Sequence, residues 1–170
     1  RFINKFNLSL YEANILVSDK ETSEYFEKVI KNSDVKLATN WITGELFALL
    51  NEKDLGITKS PISAENLSKL INLIKNGTIS GKIAKTVFEL MASGDQDPQK
   101  IVEEKGLKQE SDPKALESLI DNIIGKNPDK VKEYKSGKEK LFGFFVGQAM
   151  KASDGKANPK LVNDILKNKL

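Results

Sequence analysis

Four times in its second half the chain sets an aspartate or asparagine directly before a proline: Asp97-Pro98, Asp112-Pro113, Asn127-Pro128 and Asn158-Pro159. The side-chain oxygen of the first residue can accept from an N–H that a helix start leaves unpaired. Proline at the next position presets φ at a place where no donor is needed. Each pair therefore predicts a helix start. The first three pairs stand 15 residues apart, but the sequences between them do not match one another, so the spacing indicates short helices in series and not a solenoid. Apolar residues recur at helical intervals along the chain, and no alternating run argues for a sheet. The fold class predicted is all-α, as two small helical bundles joined by a hinge.

The first half carries helix signals of a different kind. Ser18-Asp19-Lys20-Glu21 spells a capping box with Ser18 as N-cap, from which a helix is expected to run to about Asn32. Ala38, Trp41, Ile42, Leu46, Leu49 and Leu50 mark one face of a longer helix beginning near Asp34. Ser63 precedes Leu67, Leu70, Ile71 and Ile74, and Gly77 stands where a left-handed C-terminal cap is expected. A further helix from about Ser80 to Ala92 carries Ile83, Val87, Leu90 and Met91. The predicted core is built on Trp41, Leu46 and Leu49 in the first bundle and on Leu141, Phe145 and Ala149 in the second.

Composition narrows the chemistry. The 170 residues include no cysteine and no histidine, which removes disulfides, thiolate nucleophiles, imidazole acid–base catalysis and nearly every zinc site. No catalytic residue, metal site or cofactor is assigned. No stretch approaches the roughly 18 apolar residues of a membrane span, and a cytoplasmic location with no membrane contact is expected. The chain starts at Arg1 and not at methionine, so a piece of a longer protein is expected.

Arg1 is the sole arginine among 27 basic residues. Base-edge reading of duplex DNA usually relies on the guanidinium fork, so lysine-only recognition points to phosphates in preference to base edges. An AT-rich genome also accounts for the lysine excess. Residues 1–97 carry a net charge of −1 and residues 98–170 a net of +4, and within 126–170 there are 11 lysines against 5 acids. A net +6 there favours a polyanion through long-range attraction and counterion release.

The segment 137–151 (GKEKLFGFFVGQAMK) is the most pointed. On a helix, Leu141, Phe142, Phe145, Val146, Ala149 and Met150 share one half, while Lys140, Phe144, Gln148 and Lys151 share the other. Two readings of Phe144 are open: burial under a neighbouring helix, or packing on a ribose or base between phosphate-binding lysines. Gly143 and Gly147 leave a strip without side chains. A glycine inside a helix costs roughly 0.5–1 kcal/mol against alanine, so close approach of a backbone is expected, from a second helix or from nucleic acid.

These residues resemble the GatB/YqeY family: the GatB component of the bacterial and organellar tRNA-dependent amidotransferases, whose C-terminal region is also known as the YqeY-type domain. The resemblance is carried by LSLYEANIL at 8–16, DVKLATNWITGEL at 34–46, GTISGKIAKTVFELM at 77–91 and, most specifically, GKEKLFGFFVGQAMKASDGKANPKLVNDILK at 137–167. It implies a helical domain over 1–106, a hinge at 107–111 (LKQES) and a YqeY-like tail domain over 112–170. Both domains handle tRNA. The resemblance further implies that ATP, Mg and the aminoacyl-phosphate chemistry belong to an absent N-terminal domain of an ATP-dependent, glutamine-hydrolysing ligase. That enzyme turns Glu-tRNA(Gln) or Asp-tRNA(Asn) into Gln-tRNA(Gln) or Asn-tRNA(Asn). The implied partners are tRNA, an amidase subunit and a small third subunit. Candidate tRNA-binding residues in the implied regions are Lys138, Lys140, Phe144, Lys151, Lys156 and Lys160, with Lys82 and Lys85 at the SGKIAK helix start.

Two other classes compete. An independent enzyme is disfavoured, because ISGK at 79–82 is too short for a phosphate-binding glycine loop and no paired carboxylates stand at an evident spacing. A standalone YqeY-like module that binds proteins through its Leu, Phe and Val faces, with no RNA role, is the alternative.

Overall fold

The computed structural model describes residues 1–94 and 96–170. Among the described residues the regular elements are all helical, and the only strand-like feature is an isolated parallel bridge between Glu110 and Ala157. The chain divides into two compact units: Arg1–Gly77 with Ala84–Gly106, and Thr78–Ile83 with Leu107–Leu170.

In the first unit, α1 (Phe2–Phe6) and α2 (Leu10–Leu16) lead into α3 (Lys20–Ile30). Phe2 and Phe6 pack their rings on the fully buried Phe26 of α3, at centroid distances of 5.4 and 5.9 Å. The capping box expected at Ser18 is not formed. Asp19 caps α3, with one carboxylate oxygen accepting from the Thr22 N–H (2.7 Å) and the other from the Thr22 hydroxyl (2.9 Å). A carboxylate able to hold both groups of Thr22 displaces the serine hydroxyl, which instead donates to Asp19. The reciprocal box lies one helix earlier, where Ser9 accepts from Glu12 N–H and the Glu12 carboxylate accepts from Ser9 N–H.

The helix capped by Asp34 is interrupted as it runs through Trp41. Between α4 (Val35–Trp41) and α5 (Phe47–Glu52), residues Ile42–Leu46 form a π-helical turn, in which Phe47 N–H reaches the Ile42 carbonyl. The sequence explains why this turn is wider. Ala38, Ile42, Leu46 and Leu50 are spaced by four and all are buried, yet in a uniform α-helix each step of four overshoots a full turn by about 40°. The wider turn absorbs the drift and keeps these side chains stacked inward. Leu49, expected in the core, is consequently half-buried while Leu50 takes the inward place. Trp41 packs its ring 5.6 Å from Phe88 of α7 (Gly81–Ala92). Ser63 caps α6 (Ala64–Lys75), Gly77 follows it at φ +78°, and Asp97 caps α8 (Pro98–Glu104).

The second unit comprises α9 (Pro113–Lys126), α10 (Pro128–Lys135), α11 (Leu141–Ala152) and α12 (Pro159–Lys169), together with Thr78–Ile83. Its core gathers Leu116, Ile120 and Ile123 of α9, Phe145 and Ala149 of α11, Ala157, and Val162 and Leu166 of α12. Leu141, expected beside Phe145, is only half-buried, because it opens α11 one turn beyond the residues that α9 and α12 cover. All four Asx-Pro pairs start helices, but Asn127 turns its side-chain amide back to the Ile123 carbonyl (2.8 Å) and closes α9 instead of capping α10. Residues 107–111, expected as a linker, are tied into this unit: Gln109 N–H donates to Thr78 (2.6 Å), Glu110 N–H to Lys156 (2.7 Å), and Asn158 N–H to Glu110 (2.9 Å).

Candidate nucleic-acid interface

The Gly155 turn joins two stretches of lysine that lie far apart in sequence. Ser80, buried before the first turn of α7, accepts from Ile83 N–H (3.2 Å) and donates to the Gly155 carbonyl (3.1 Å). The Lys82 stem lies along Gly155 so closely that a Cβ built there would stand 3.0 Å from Lys82 Cδ. Gly155 N–H donates to Met150, Lys156 N–H to Ser153, and Ala157 N–H to the Ser153 hydroxyl. Asp154 at φ +52° and Gly155 at φ +78° give the two successive left-handed residues that this path requires. Lys82 and Lys156 therefore emerge from one rigid turn, and exposed Lys160 follows on the first turn of α12 behind its Asn158 cap.

A second locus is the groove between α9 and α11. It encloses about 400 Å³ and is lined by Leu119, Asn122, Ile123, Lys126, Gln148 and Lys151 among others. Its floor is apolar, its walls carry side-chain amides, and Lys126 and Lys151 are exposed. Gly143 and Gly147 on α11 are exposed, with nothing within 4 Å of an added Cβ, so the expected approach of another helix does not occur within this chain.

Phe144 takes an intermediate position between the two readings of it. Its ring packs edge-on against Phe145 (5.4 Å between centroids) at the border of the core, and the Lys130 ammonium sits 4.8 Å from its centroid. A cation already over a ring face is a modest attraction at an exposed site, about 0.5–1 kcal/mol.

The remaining candidates differ in how free their charge is. Lys138 donates to Glu133 (2.8 Å), and that hydrogen bond, aided by the lysine's charge, holds the Glu133 carboxyl below its ordinary value. Lys85, assigned to the first unit, pairs with Glu45 at 3.1 Å. Lys82, Lys140, Lys151, Lys156 and Lys160 have no carboxylate partner within ion-pair distance among the described residues. Sequence reading did not single out Lys126, Lys130 or Asn122. Their signal is tertiary, since α9 and α10 bring them beside α11 only on folding. Among the described residues no cluster of acidic side chains is suited to a metal, and no helix is long and apolar enough to cross a membrane.

Against known proteins, residues 24–170 match the family model described as the GatB domain. The chain belongs to that family. It is 73% identical over its whole length to the GatB component of the aspartyl/glutamyl-tRNA(Asn/Gln) amidotransferase of Pelagibacter ubique (strain HTCC1062). It is 53% and 55% identical, again over its whole length, to the proteins of the same name from Rickettsia rickettsii (strain Sheila Smith) and Rickettsia typhi (strain ATCC VR-144 / Wilmington). The chain spans 35% of the length of each of these relatives.

Proposed function

We propose that this chain is the tRNA-handling C-terminal part of an amidotransferase component that supports conversion of Glu-tRNA(Gln) or Asp-tRNA(Asn) to the amidated forms. It holds the tRNA by shape and phosphate contacts and carries no catalytic group of its own. The observation that carries this reading is the set of lysines in the second unit: Lys82 and Lys156 on the Gly155 turn, and Lys126 and Lys151 beside the groove. Ammonium groups without carboxylate partners are the ones able to exchange condensed counterions for phosphate. The groove's apolar floor and amide walls fit an unstacked base, whereas the phosphates meet the lysines. ATP, Mg and the ammonia source belong, on this reading, to the rest of the full-length protein and to an amidase partner, in the cytoplasm.

Fluorescence anisotropy of a labelled tRNA transcript titrated with the chain tests the proposal. Affinity is expected to fall linearly on a log–log plot against salt, with a slope of about −0.9 per phosphate engaged and several phosphates engaged in all. Salt-independent binding, or none at low salt, contradicts it and leaves a protein-interaction role.

A further inference from the structure

The exposed large hydrophobic side chains among the described residues are Ile3 (43% exposed), Leu10 (66%), Tyr11 (75%) and Val17 (48%). All four fall within the first 17 residues, on α1, α2 and the cap of α2. Single exposed apolar residues are ordinary, but a group confined to one small region marks a surface meant to be covered. The geometry of α2 sharpens this. Ala13 and Leu16 are its buried positions, while Leu10 and Val17, seven apart, share an outward direction with Tyr11 and Asn14 beside them. The helix is apolar on the side that faces the unit's core and largely apolar on the side that does not.

We infer that the α1–α2 face is covered, in the full-length protein, by the polypeptide that lies N-terminal to Arg1. Two facts favour this occupant over a separate protein. The relatives are matched over their C-terminal 35%, so the rest of their chain precedes this region. In addition, α1 begins directly after Arg1, with Lys5 N–H donating to the Arg1 carbonyl, so an upstream domain is tethered within one short helix of Ile3. A tethered surface reaches its target at a high effective concentration, and a modest apolar face then suffices for stable docking.

The test places the photo-crosslinker p-benzoylphenylalanine at position 11 of the full-length protein and, as a control, at exposed Lys100 on α8. Because Tyr11 is 75% exposed, replacing it leaves these helices folded. Mass spectrometry of the illuminated protein is expected to find adducts from position 11 to residues upstream of Arg1 in the same chain, at a yield several-fold above that from position 100. Adducts to a second copy, to another component of the assembled enzyme or to bound tRNA, or a yield no higher than the control, overturn the inference.

Discussion

Gly155 is the position at which one added methyl group strains the proposed interface most directly. Its φ of +78° disfavours any L side chain, and its missing Cβ makes room for the Lys82 stem. Gly155→Ala is expected to lower stability by about 1–2 kcal/mol, the cost of a left-handed residue with a Cβ, and to weaken tRNA binding by displacing Lys82. Urea unfolding and anisotropy check the two effects separately. Phe145 tests the core instead: it is fully buried among α9, α11 and α12 residues, and Phe145→Ala is expected to cost roughly 3–5 kcal/mol. A third residue-level expectation concerns acid. Asp34 and Asp97 have lowered pKa values, chiefly through hydrogen bonds from Lys75 and Lys69 respectively. The unfolded chain, with aspartates near about 3.9, then binds more protons than the folded one in the window below that value. Their contribution is complete above it and is lost as pH falls through the lower folded values. Because both carboxylates are partly exposed, solvent screens the effect. Denaturant midpoints from pH 5 down to pH 3 should fall less steeply in Asp97→Asn than in the wild type.

At the scale of elements, α11 carries the sharpest contrast between its faces, with Phe145 and Ala149 buried and Gly143, Gly147 and Lys151 exposed. Phe144→Ala is expected to leave the salt slope of tRNA binding unchanged and to weaken binding by roughly 1–3 kcal/mol if a base stacks there; unchanged affinity assigns the ring to the core border alone. Most of the helices were legible from local chemistry, because capping oxygens, proline at the first position and apolar spacing act within a few residues. Ser63, Asp97, Asp112 and Asn158 all cap as their neighbours dictate. What escaped depended on competition or on distance. Asp19 outcompetes Ser18 through a second oxygen, and the π-turn at Ile42–Leu46 answers to the core that receives Leu50. The meeting of Lys82 with Gly155 spans residues whose proximity no local pattern encodes. The lysine-rich segments were visible in sequence, whereas the groove that adds Lys126 and Asn122 to Lys151 required the helices to be in place.

At the scale of the whole molecule, the chain is expected to separate into its two units under limited trypsin, with Lys105 cut before Lys108. Lys105 ends α8 and is exposed, while the residue after Lys108 donates its N–H to Thr78 and resists opening. Early cutting within 113–167 contradicts that boundary. The chain alone is also expected to hydrolyse no ATP. The central claim, that lysines of the second unit hold tRNA by its phosphates, is tested most directly by the salt dependence of tRNA binding in the wild type and in Lys82→Ala, Lys151→Ala and Lys156→Ala. Each variant is predicted to bind more weakly and to reduce the magnitude of the log–log slope by about 1, the signature of one lost phosphate contact. Equal affinities on one common slope for all four proteins would contradict the account.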